Sequence, residues 1–177
     1  ALALTLFAPD LAALGGEFAG SLAIDARLVG TREQPGGELS ATAHELVLPG
    51  ALAIEGLDAH ARIAPSGARE LSAELRADDL TLGGVRVEDA SLAATGTLAA
   101  HEITLEVHGA EQSLSARLAG GWNGAGSGRA DSLETAGRLV ARLLGPAPLR
   151  YAPPARVELG PARIATLGGE LALGSFV

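Results

Sequence analysis

Leu22-Ala23-Ile24-Asp25-Ala26-Arg27-Leu28 is the stretch that decides the fold, because every second residue in it is apolar. The same alternation returns at Leu46-Val47-Leu48, at Leu80-Thr81-Leu82 and from Ile103 to Val107. Successive side chains of a strand point to opposite faces, so a period of two gives one apolar and one polar face. Short Gly- and Pro-rich turns separate the strands, and this favours an all-β fold built as an antiparallel meander.

Local signals refine this prediction. Gly83-Gly84 predicts a short hairpin connection, and Gln34-Pro35-Gly36-Gly37 predicts a loop. The alternation slips by one residue between Ala43 and Leu46, and again at Gly56, which predicts bulges or bends. Residues 131–144 fit helical and strand spacing equally well, so the sequence leaves both open.

Two parts of the chain show a weak internal sequence repeat, called the echo below. The pattern from Leu46 to Glu55 resembles the pattern from Leu80 to Glu88, at an offset of 34 residues. We interpret it as a repeated hairpin unit of an elongated sheet.

Composition excludes several classes of function. The chain has 177 residues with no Cys and no Lys, so disulfides, thiolate metal sites, Cys nucleophiles and Schiff-base chemistry are excluded. A formal net charge of −8 and the lack of a basic stripe argue against nucleic acid. The chain begins with Ala1 and ends in an apolar stretch, so we expect a fragment of a longer protein.

The chain offers no credible active site. Its four His residues show neither HExxH nor HxH spacing, and His101 and His108 fall on opposite faces of one regular strand. His101 is in phase with the apolar residues, so we expect a structural role, bonded to a turn backbone. Glu102 and Glu106 fit a solvated strand face. We therefore expect a protein that is not an enzyme, with no cofactor and no metal.

Three segments resemble a known family. They are Gly20 to Pro35, the hairpin from Leu71 to Val87, and Gly96-Thr97-Leu98-Ala99-Ala100-His101 leading on to Gly120-Gly121-Trp122. These patterns resemble the TamB-like proteins, within the AsmA-like group of bridge-like lipid transfer proteins. The resemblance covers about Leu4 to Leu173.

The resemblance implies a curled, U-shaped antiparallel sheet, a β-taco, with an apolar concave face. It implies a periplasmic protein, anchored in the inner membrane by a segment absent here, that carries phospholipid between the inner and outer membranes. It further implies a TamA-like Omp85 partner in the outer membrane. Residues 1–177 would form a single β-taco segment of a longer chain.

Residues predicted to contact phospholipid acyl chains are those that alternate onto the apolar face. They are Leu22, Ile24, Leu28, Leu46, Leu48, Leu52, Ile54, Leu71, Leu75, Leu80, Leu82, Val85, Val87, Ile103, Leu105, Val107, Leu114, Leu118, Val157, Leu159, Leu171 and Leu173. His101 and Trp122 are predicted to be structural.

Two alternatives remain open at the level of sequence. The first is a chaperone-like segment that engages an outer-membrane polypeptide by strand addition and supports its assembly with the Omp85-family partner. The second is a passive β-solenoid stalk, which requires a closed and fully packed interior.

Overall fold

The computed structural model describes the chain except residues 32–33, 51, 123–125, 153–155 and 175–177, and except the side chains of residues 14, 122, 151–152, 156–157 and 159. The described part has fourteen strands and one 3₁₀ turn, η1 (Leu11–Leu14). The strands are β1 Leu2–Ala8, β2 Ala19–Gly30, β3 Pro35–Leu48, β4 Leu52–Ile63, β5 Glu70–Leu82, β6 Val85–Thr97, β7 His101–His108, β8 Gln112–Trp122, β9 Gly126–Gly137, β10 Ala141–Leu143, β11 Ala147–Ala152, β12 Arg156–Leu159, β13 Ala162–Thr166 and β14 Gly169–Leu173.

All strands belong to one antiparallel sheet. From β1 to β10 each strand pairs with the next, and the path continues through β13 to β14. At β9 the sheet forks, because one end of β9 pairs with β10 and the other end with β11, which carries β12. The strands at the two ends of the path do not pair with each other. The expected fold class, all-β with one elongated, curled antiparallel sheet, is confirmed.

A bulge lies between β2 and β3, and the pairing of the next strands is interrupted at the same level without a change of register. Gly20 of β2 faces two residues of β3, Glu45 and Leu46, and Glu45 adopts a positive φ of 50°. At the same level of β4 and β5, two residues instead of one separate successive apolar side chains: Ile54 is followed by Leu57, and Ala77 by Leu80. Asp79, within the second gap, has a φ of 46°. The register slip after Ala43 and the phase change at Gly56 are therefore confirmed. A bulge bends a strand and increases its twist, so we expect β3 to bend at Glu45.

The hairpins follow the turn signals. The Gly83-Gly84 connection is confirmed, with Leu82 paired to Val85. The two stretches of the echo both form antiparallel hairpins, in which Leu46 faces Ile54 and Leu80 faces Val87.

One loop prediction is wrong. Pro35 to Gly37 were expected in a loop, but β3 begins at Pro35. Pro can open a strand, because the first residue does not need its N–H for the ladder. A Cβ on Gly36 would lie 2.5 Å from the backbone nitrogen of Pro65, so glycine here lets two backbones approach closely. The open question at residues 131–144 resolves in favour of strands, β9 and β10.

Candidate functional site

Register gathers the apolar side chains onto one face of the sheet. A single row crosses nine strands, with each residue directly opposite the next, and every member is aliphatic: Leu6, Ile24, Ala41, Ala59, Leu75, Leu92, Leu105, Ala116 and Leu133. We call the face that contains this row the apolar face, and the opposite one the outer face. The row contains only leucine, isoleucine and alanine, so its surface is smooth and uniformly aliphatic.

The structure brings the predicted contact residues together on this face. Those of β2 to β8 are linked by register, and so are Leu171 and Leu173, which pair with β13. Val157 and Leu159 pair with β11 through their backbones, and their side chains are outside the described part. The side chain of Trp122 is also outside it, so its structural role remains a prediction.

The same face contains residues that the sequence reasoning missed. Ala41, Ala59 and Leu92 fill the row between predicted members, and Ala116 and Leu133 extend it beyond Leu105. Strict alternation within each strand is the signal that identifies them. Leu4 and Leu6 of β1 extend the face to the edge of the sheet, where they are 61% and 46% exposed.

Most of the apolar face is not covered by a second layer. Among the described residues, only two side chains larger than alanine are buried, Leu11 and Leu46, each 5% exposed. Leu82 and Val85, at the tip of the β5–β6 hairpin, are 58% and 65% exposed. A closed core would bury large aliphatic residues in the middle of the sheet, whereas here Leu75, Leu92 and Leu105 stay half-buried.

One short segment does cover the face. The connection from Pro9 to Phe18 folds back so that Leu11 packs on Ala43 and Leu46, with Phe18 beside them. Asp10 caps η1 by accepting a hydrogen bond of 2.9 Å from the backbone N–H of Ala12. This cover was not predicted, and the length of the connection between β1 and β2 was the signal that could have indicated it.

The outer face carries the charge in exposed pairs. Arg62 and Glu38 are 3.5 Å apart across β3 and β4, and His60 and Asp58 are 3.2 Å apart within β4. Among the described residues no charged or polar side chain is buried. The two faces therefore differ in chemistry along the sheet, one aliphatic and the other solvated.

Two pairs of side chains on the outer face shift the pKa of one of their members. Arg86 donates a 2.6 Å hydrogen bond to Asp79, and this bond with the arginine charge lowers the pKa of Asp79. The Asp89 carboxylate lies 2.8 Å from Nδ1 of His108, and this hydrogen bond raises the pKa of the imidazole. Both pairs are exposed on the strand surface.

The structure places His101 beside a turn. Its Nδ1 lies 3.2 Å from the carbonyl oxygen of Thr97 in the turn before β7, and the ring is half-buried on the apolar face. His108 is on the outer face, so the two rings do not converge. Within the described residues no group of three or more His, Asp or Glu side chains could hold a metal ion.

A search for membrane-spanning helices finds none among the described residues. No curated protein and no solved structure matches the chain. The family model for the TamB N-terminal domain matches residues 1–130, which covers β1 to β8 and the start of β9. The chain therefore belongs to the TamB family of bacterial envelope proteins, which is not an enzyme family.

Proposed function

We propose that this chain is one segment of a periplasmic groove that carries phospholipid between the inner and outer membranes and supports outer-membrane biogenesis. The observation that carries the proposal is the apolar face, which stays aliphatic across nine strands and is open over most of its area. The family match supports an envelope protein. The role is non-enzymatic.

Size fits the proposal. The main path has twelve strands, and at about 4.8 Å per strand it extends on the order of 50 Å. Transfer of hydrocarbon from water contributes about 0.8 kcal/mol for each CH₂ group, so a two-tailed lipid gains a large favourable free energy on this face.

The uniform aliphatic lining of the apolar face favours movement of lipid along it over storage at one position. The described part of the apolar face carries aliphatic side chains with few polar groups, and the charged pairs lie on the outer face. An acyl chain that moves along such rows exchanges one aliphatic contact for another, so few barriers oppose its movement. We further propose that the full-length protein is anchored in the inner membrane and meets a TamA-like Omp85 protein at the outer membrane.

A second function is favoured by one observation. β1 is an edge strand with no charged residue, and Leu2 and Phe7 on its two faces are 64% and 71% exposed. Edge strands of this kind pair readily with another extended chain. A chaperone-like segment would use this edge to hold an outer-membrane polypeptide during assembly. The stalk alternative requires a packed interior, and no observation on the described face favours it.

Site-specific photo-crosslinking in cells separates these functions. A photoreactive residue is placed at Leu82, Leu105 or Leu118 on the apolar face, and at Thr81 or Thr104 on the outer face as matched controls. We expect phospholipid adducts at the three leucine positions and none at the threonine positions. Polypeptide adducts in place of lipid support the chaperone-like function, and absence of lipid adducts at all five positions contradicts the groove.

A further inference from the structure

A recess interrupts the apolar face where β7, β8, β9 and β11 lie side by side. Its volume is about 290 Å³, room for about ten water-sized groups. The residues around it include His101, Ile103, Leu118, Gly120, Gly128 and Leu149. A larger trough of about 680 Å³ lies elsewhere, on the outer face, but it is lined by exposed charges of both signs and favours no particular ligand.

Glycine forms the floor of this recess. Gly120 pairs with His101 on one side and Gly128 on the other, and Leu149 follows Gly128. His101 and Leu149 are three strand spacings apart, which is about 14 Å. The two residues between them in this row are glycines, which have no side chain. A Cβ on Gly120 would lie 2.8 Å from the carbonyl oxygen of Ser127, so close backbone packing keeps this floor bare.

Nε2 of His101 has no hydrogen-bond partner among the described residues, and the other polar residues around the recess are Ser127 and Arg150. A carbonyl oxygen only accepts hydrogen bonds, so Nδ1 of His101 donates to Thr97. In the neutral imidazole the other nitrogen, Nε2, is then an acceptor. An acceptor held among apolar side chains gains most from a ligand that brings its own N–H or O–H.

We propose that this recess seats the polar end of a bound phospholipid and that His101 selects headgroups with a hydrogen-bond donor. The proposal rests on the lipid groove proposed above and adds a headgroup preference to it. Phosphatidylethanolamine has N–H donors for Nε2, whereas phosphatidylcholine has none. The acyl chains then lie along the aliphatic rows that start at Ile103 and Leu118.

The test uses the 177-residue chain and vesicles that contain equal amounts of phosphatidylethanolamine and phosphatidylcholine. The protein is re-isolated, and its bound lipids are extracted and quantified by mass spectrometry. One net hydrogen bond corresponds to an expected enrichment of phosphatidylethanolamine of about three- to tenfold. The variant His101→Asn keeps an N–H donor for Thr97, but its shorter side chain has no acceptor at the position of Nε2, so the enrichment is expected to disappear while total bound lipid remains.

Two controls sharpen this test. His60→Asn makes the same change on the outer face and is expected to leave the enrichment unchanged. The second control uses the wild-type chain and a lipid with a dimethylethanolamine headgroup, which keeps one N–H. We expect the chain to enrich this lipid over phosphatidylcholine.

Each contrary result has its own meaning. If the two lipids are bound in the same ratio as in the vesicles, the proposed headgroup preference is wrong, although the groove proposal stands. The same conclusion follows if the enrichment of phosphatidylethanolamine survives in His101→Asn. Equal binding of dimethylethanolamine and choline lipids also overturns the seat. Absence of any bound lipid overturns both proposals.

Discussion

The β3–β4 and β5–β6 hairpins carry the same sequence pattern but meet different surroundings. Leu46 in the first hairpin is 5% exposed, because Leu11 from the long β1–β2 connection packs on it. Leu80, the counterpart of Leu46 in the second hairpin, is half-buried, and Leu82 at its tip is 58% exposed, because the Gly83-Gly84 turn is too short to fold back over the face. The length of a nearby connection thus decides whether the apolar face is covered. The face itself arises from the same alternation of apolar residues in both hairpins.

An open apolar face is compatible with a stable fold in this sheet. Where the chain covers its own apolar face it does so with a capped turn and a small aliphatic cluster. Elsewhere the ladders of long strands hold the sheet together, and the side chains of the apolar face stay available.

The largest effect is expected from truncating the covered leucine. Leu46→Ala removes a buried side chain and is expected to lower the free energy of unfolding by about 2–4 kcal/mol. Leu82→Ala, the same change at the open hairpin, is expected to lower it by less than about 0.5 kcal/mol. Urea unfolding of both variants measures the difference. Equal losses would show that the two hairpins are packed alike.

A smaller effect, on lipid rather than on folding, is expected on the open part of the face. Leu105→Asp places a carboxylate in the middle aliphatic row, and we expect retained phospholipid to fall by about tenfold because burial of a charge against hydrocarbon is costly. Thr104→Asp adds the same charge on the outer face, opposite Arg117, and is expected to retain lipid normally. Lipid extraction after purification gives both values, and an equal fall in the two variants would remove the distinction between faces.

The cap of the covering turn should have a modest effect. Asp10→Ala removes the acceptor for the N–H of Ala12 and is expected to cost about 0.5–1 kcal/mol of unfolding free energy. Glu17→Ala changes a carboxylate in the same connection and serves as the control, with no loss expected. If Asp10→Ala also leaves the urea midpoint unchanged, the cover over Leu46 does not depend on its cap.

The smallest effect concerns pH on the outer face. The hydrogen bond to Asp89 raises the folded-state pKa of His108 above its ordinary value of 6.5. The stability from this pair is therefore fully present below about pH 6.5 and is lost as the pH rises through the folded pKa. Urea midpoints below and above this window are expected to differ less in Asp89→Asn than in the wild type. The same pH dependence in both proteins would contradict a role for the pair.

Much of the architecture was predictable because it depends on local pattern. Alternation identified the apolar face, the two-glycine turn identified the β5–β6 hairpin, and the phase slip after Ala43 located the β2–β3 bulge. The strand start at Pro35 and the fork at β9 were not predictable, and only the length of the β1–β2 connection hinted at the packing of Leu11. Each depends on contact between segments distant in sequence, such as the close approach of Gly36 to Pro65, and no local pattern encodes it.

The most direct test of the open face is native mass spectrometry of the chain, purified gently from cells without added lipid. Charge states that carry the extra mass of one or more phospholipids are expected, and Leu105→Asp should reduce them while Thr104→Asp should not. A wild-type spectrum that shows only the bare 17.7 kDa chain under conditions that preserve known lipid complexes would contradict the proposal that hydrocarbon occupies this face.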